Sequence, residues 1–179
     1  MKPTRELRRA CLVLACFLCL APALAAQKGP EKLPDFADYP VREIYQCKPA
    51  RSQIVTPYQK RFRTVIRESV HEGVNFAGHY AVAIWGCGTS CAQFAVTDVI
   101  SGRVYDPPLG SVALHLGPDD DHQPQKYPDI VNAKPDSALM VIEGCPDEGE
   151  KCGRFYYHFD QGRFTLLRFD PDPPDQPAK

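Results

Sequence analysis

The sequence predicts an exported α+β domain in which one amphipathic helix packs on a mainly antiparallel sheet of about six strands held by disulfide-stapled hairpins. Three observations carry this. A basic, then apolar, then small-residue leader opens the chain; a helical period gives way at Gly73 to a period of two; and cysteine pairs sit at strand ends.

The leader decides how the cysteines are read. Lys2, Arg5, Arg8 and Arg9 precede the apolar run Cys11 to Leu20, and Ala23-Leu24-Ala25 supplies a small-x-small cleavage pattern. Residues 1–25 are therefore expected to be a signal peptide cut after about Ala25, giving a periplasmic or secreted protein. The run is about half the ~20 residues that cross a bilayer as a helix, so no transmembrane segment is expected. Of the 21 Lys plus Arg and 22 Asp plus Glu, the leader takes four bases and one acid, which leaves a mature net charge near −4. That balance disfavours nucleic acid, whose phosphates call for a basic stripe. Five of the eight cysteines remain in an oxidising compartment, where disulfides persist.

Composition places the domain boundaries. Residues 26–44 and the tail 170–179 (DPDPPDQPAK) are rich in proline and poor in apolar side chains, and so are expected to be flexible or disordered. A single globular domain is expected over 45–169, with no second domain required.

Within it, Thr56-Pro57 places a capping hydroxyl before a proline at the first helical position. Phe62, Val65, Ile66 and Val70 follow at helical spacing and Gly73 ends the pattern, so 57–71 is expected to be one helix. Lys60, Arg61, Arg63 and Arg67 on its other face read as a solvated strip. Tyr80 to Trp85 and Gln93 to Thr97 then alternate as two strands. Pairing them across Gly88-Thr89-Ser90 sets Cys87 opposite Cys91, Ile84 opposite Phe94, Val82 opposite Val96, Ala83 opposite Ala95 and Trp85 opposite Gln93. One face becomes large and apolar. The other, lined by Ala81, Ala83 and Ala95, invites the helix. Ser101-Gly102 turns the chain toward Val104 and Tyr105, a short strand is expected near Val112 to Leu116, and Leu139 to Gly144, Phe155 to Phe159 and Phe164 to Phe169 form a second group.

The stretches NFAGHY (75–80) and WGCGTSC (85–91), with SALMVIEG and GRFYYHFDQGRFTLL further on, resemble a group of uncharacterised exported bacterial proteins sharing an NFAGHY and WGCGTxC signature. The resemblance spans about Phe62 to Phe169. It implies a bacterial exported setting and a single domain, and it brings no catalytic role to any position.

Cys87 and Cys91 at the hairpin turn, and Cys145 and Cys152 around a polar loop, are read as disulfides, with Cys47 left unpaired. Loops of this size stabilise by roughly 2 to 2.5 kcal/mol. A papain-like cysteine, a thioredoxin-like pair and a zinc site with His71 and His79 all fit the spacing worse than the staple does. No cofactor, metal site or catalytic constellation is expected. His79, placed by alternation on the alanine side of the sheet, Trp85 and Gln93 are the candidate binding residues. The expected function is an exported binding or envelope-maintenance module, inhibitor-like, with a protein partner in the cell envelope and an unspecified oligomeric state. The rival is a hydrolase or thiol enzyme using His79 and the Cys87/Cys91 hairpin, favoured if a structure gathers His79, His158, Gln93 and an acid into one cleft.

Overall fold

The structure, a computed structural model, describes residues 32–88, 91–113, 130–147 and 149–172. Leu33–Lys179 form one contact unit and Met1–Lys32 another; everything below concerns the first. The expected signal peptide lies outside the described residues.

The helix forms where the capping signals put it, with a break. Thr56 Oγ1 accepts from the Gln59 N–H at 3.1 Å, and the Gln59 side-chain carbonyl accepts from the Thr56 N–H at 3.2 Å. This reciprocal cap starts α1 (Pro57–Arg61). Phe62 (φ −105°, ψ 16°) then interrupts the helical backbone before α2 (Arg63–Glu72), so the expected single helix is two segments. Phe62 at the break stacks on Trp85 with ring centroids 4.5 Å apart, a contact made in the same place as the kink.

Strands β1 (Tyr80–Gly88) and β2 (Cys91–Asp98) pair antiparallel with Val82, Ala83, Ile84 and Trp85 opposite Val96, Ala95, Phe94 and Gln93, as alternation requires. The tip differs from expectation. The register shifts between Gly86 and Gly88, Gly88 faces Cys91, and Cys87 is the extra residue of a bulge. The disulfide still forms across it, with Cα atoms 5.2 Å apart. Beyond come β3 (Val104–Tyr105), β4 (Val112–Ala113), β5 (Val131–Ala133), β6 (Leu139–Pro146), β7 (Gly153–Asp160) and β8 (Arg163–Pro171). The sheet thus has eight strands where about six were expected. Cys145 and Cys152, Cα atoms 4.2 Å apart, staple the β6–β7 hairpin.

The strand path is β1-β2-β4-β6-β7-β8, with β3 on β2 and β5 on β6. Short β4 bridges β2 and β6 at the cystine end only, and puts Cys91, Ala113 and Cys145 in one row. Toward the other end β3 takes the flank of β2 and β5 the flank of β6, so the sheet divides into two leaves. The leaves enclose one core from Val82, Phe94 and Val96 on the first and Met140, Ile142, Phe155, Tyr157 and Phe159 on the second.

The outer faces are covered differently. Ile66 packs with Ala83 and Ala95, and Val70 with Ala81, because a methyl-lined face lets the helix come close. On the second leaf, Leu139, Val141 and Tyr156 are covered by Phe36 and Tyr39, the first residue and the C-cap of a single 3-10 turn (Phe36–Asp38). Ser137 Oγ donates to the Phe36 carbonyl at 2.8 Å, and the Val41 N–H donates to the Asp136 carbonyl at 2.9 Å. The described part of the 26–44 segment expected to be flexible is therefore docked: two aromatic rings supply the burial that its proline-rich composition conceals. At the other terminus β8 runs into the expected tail, where the Asp172 N–H donates to the Cys152 carbonyl at 3.1 Å; residues 173–179 lie outside the described part.

Candidate functional site

The NFAGHY stretch is where three parts of the chain meet. Ala77 (φ 42°) and Gly78 (φ 80°) form a left-handed turn closed by the Tyr80 N–H donating to the Phe76 carbonyl at 2.9 Å. A Cβ on Gly78 would meet the Glu43 carbonyl oxygen at 2.6 Å, so the close approach as well as the positive φ requires glycine. The Gly78 N–H donates to Pro135, its carbonyl accepts from Tyr45 at 2.7 Å, and the His79 carbonyl accepts from Val99 at 2.9 Å. Phe76 is fully buried. Asn75 acts as a surrogate strand: its amide donates to the Val82 carbonyl at 3.1 Å and accepts from the Val82 N–H at 2.7 Å, closing that rung of the β1 edge.

This rigid turn delivers His79 to an open cleft of about 410 Å³. Val41, Arg42 and Glu43 line it from the N-terminal segment, Ala138 from the start of the second leaf, and His158, Phe159, Asp160 and Gln161 from the end of β7. Alternation stops at Tyr80, and so the expected placement of His79 on the alanine side is corrected. Its ring lies along Tyr80 at 4.2 Å, away from the helices. His158 rests on Tyr39 at 5.4 Å, and Tyr80 meets Phe159 edge-on at 4.8 Å across the two leaves. Burial, reinforced by the charges of Asp98, Tyr105 and Asp160, pushes the Tyr80 hydroxyl up to about 12, so it stays protonated in the alkaline range where a free tyrosine ionises.

Trp85 and Gln93 lie elsewhere. Trp85 is only 9% exposed, beneath Phe62 and Tyr58, and its indole N–H donates to Gln93 Oε1 at 3.2 Å. The Gln93 amide in turn donates to the Gly110 carbonyl at 3.1 Å. Gln93 also borders a second cavity, of about 570 Å³, with Pro57, Tyr58, Arg61, Phe62, Gly86 and Cys87. The cleft therefore holds His79, His158 and two acids but not Gln93. Eight residues of extended chain hold His79 about 26 Å from Cys87, so that pair cannot act on one substrate. Cys47 is free and exposed.

Among the described residues no group of three or more His, Cys, Asp or Glu could hold a metal ion, and no helix is long and apolar enough to cross a membrane. Sequence reasoning missed Arg42, Glu43 and Asp160. Asp160 had a signal, standing at the mouth of the Asp-Gln-Gly turn, whereas Glu43 lies in a segment with no periodic pattern. No family model matches the chain, and no curated protein or solved structure matches it.

Proposed function

We propose that this is an exported bacterial binding module of the NFAGHY and WGCGTxC group, acting in the cell envelope through the His79/His158 cleft. The observation that carries the reading is the convergence of imidazoles from two separate leaves with Glu43 and Asp160 around one open hollow. Two cystines support an oxidising compartment, and the leader supports export. The cleft offers donors, acceptors and both signs of charge against aromatic walls, a surface suited to a short polar segment of a protein partner.

The test is capture from an envelope extract on immobilised mature protein and on the His79→Ala/His158→Ala double variant. A partner retained by the first and lost from the second, with melting unchanged, is the expected outcome. Equal retention on both would overturn the role of the cleft. A hydrolase reading has one specific support, the same two imidazoles beside two carboxylates. It requires turnover of a model ester or amide that either single histidine variant abolishes.

A further inference from the structure

The two ends of the β1 edge differ. At its start the edge is occupied: Tyr80 exchanges backbone hydrogen bonds with Phe76, and both polar groups of Val82 are taken by the Asn75 amide. In an antiparallel strand the N–H and C=O of every second residue point the same way. Since Tyr80 and Val82 point outward, so do Ile84 and Gly86, up to the bulge at Cys87. Among the described residues nothing hydrogen-bonds to Ile84 or Gly86 on that side. Ile84 is half-buried and Gly86 exposed.

The helices lie over this edge with their charges ordered along it. Phe62 meets Trp85, Ile66 meets Ala83 and Val70 meets Ala81, so the helical segment runs antiparallel to β1. Lys60, Arg61 and Arg63, all exposed, therefore stand toward the open end, exposed Arg67 and Glu68 lie alongside Ala83 to Ala81, and Glu72 stands at the capped end. No carboxylate pairs with any of the four bases among the described residues. Arg61 and Gly86 also share the wall of the 570 Å³ cavity, which brings a cation and an unpaired rung to one place. All this lies on a mature chain whose net charge is negative, so the basic face is a local feature.

We propose that the Ile84–Gly86 edge binds an extended, acidic segment of a partner protein as an added strand. The partner's backbone completes the two open rungs, and its alternate carboxylate side chains, pointing toward the helices, meet Arg61, Arg63 and Lys60. The 570 Å³ cavity receives one of those side chains beside Arg61. This site is separate from the histidine cleft, at the opposite end of β1.

The experiment uses the mature protein and a labelled peptide of alternating valine and glutamate, about 6 residues long, the length of an ordinary strand. Anisotropy should show binding that weakens as salt is raised, and the Ile84 and Gly86 amides should gain protection from hydrogen exchange. Replacing glutamate by lysine in the peptide, N-methylating its alternate amides, or introducing Lys60→Glu/Arg61→Glu in the protein should each weaken binding by about tenfold or more. His79→Ala/His158→Ala should leave it unchanged, so the failure of one site does not mimic the failure of the other. Equal affinity for the lysine peptide would remove the charge argument, and equal affinity for the N-methylated one would remove the added strand. An absence of binding by the wild-type protein overturns the whole proposal. If Ile84 and Gly86 become protected without peptide as the protein concentration rises, the occupant is a second copy of this chain, and the acidic-partner reading fails.

Discussion

The two stapled hairpins share a core and a strand order, yet they solve the problem of their outer faces in opposite ways. β1–β2 carries Ala81, Ala83, Ala95 and Thr97 outward and is covered by a helix; β6–β7 carries Leu139, Val141 and Tyr156 and is covered by little more than two aromatic rings. A small-residue face has too little apolar area to stabilise itself and gains it from Ile66 and Val70. A large-residue face brings its own area and needs only a cover. Its neighbour β8, at the sheet's edge, even leaves Leu166 50% and Leu167 40% exposed. A sheet face can be designed to receive another element or to do without one.

The staples give the largest expected effects. Cys145→Ala/Cys152→Ala should cost about 2.5 kcal/mol and Cys87→Ala/Cys91→Ala about 2, read by denaturant melts, because the Cys87–Cys91 loop is the shorter. A reversed order would show that the bulge at Cys87, and not loop length, governs the first hairpin. Next, Ala83→Leu should overpack the helix interface and cost about 1–3 kcal/mol, whereas Val141→Leu under its looser cover should cost less than about 1.5. Similar losses in the two variants would erase the distinction between the faces.

Two smaller effects probe the helix-covered side alone. Thr97 is fully buried and its hydroxyl has no partner among the described residues. Thr97→Val should raise stability by about 1 kcal/mol, since it removes an unsatisfied polar group without changing shape. A loss on melting would mean the hydroxyl is satisfied in solution. Tyr58, whose hydroxyl donates to the Phe94 carbonyl at 3.3 Å, is pushed up to about 12, first by burial and then by Asp106. The folded state then keeps a proton that the unfolded chain releases near 10.0. Its contribution is complete below pH 10 and is lost as pH rises toward 12. Tyr58→Phe should flatten that alkaline decline and leave the neutral melt nearly unmoved; an unchanged alkaline slope would assign the decline to other groups.

What the sequence revealed follows the length of the pattern. β1 and β2 are long enough for alternation to fix the register of Ile84 with Phe94, and Thr56, Pro57 and Gly73 mark helix ends by local chemistry. β3 and β4, two residues each, were marked by the Ser101-Gly102 turn and the apolar Val112 and not by alternation, whereas β5, at three residues, is too short for a period of two to emerge. The bulge was hidden because Gly86-Cys87-Gly88 has no alternating side chains to shift. The cleft was half legible. His79 stood in a conspicuous motif, but its meeting with His158, Glu43 and Asp160 depends on how two leaves and an aperiodic segment close in space.

Asn75 bears on how this protein avoids its own copies. Cross-β assembly is templated by flat, unguarded edges of about 6–7 residues. By lending its amide to Val82, Asn75 removes the first part of β1 from that competition, and the bulge at Cys87 bends the strand out of line at the other end. What stays open, Ile84 to Gly86, is too short to seed a fibril. One carboxamide thus works as a gatekeeper against edge-to-edge aggregation.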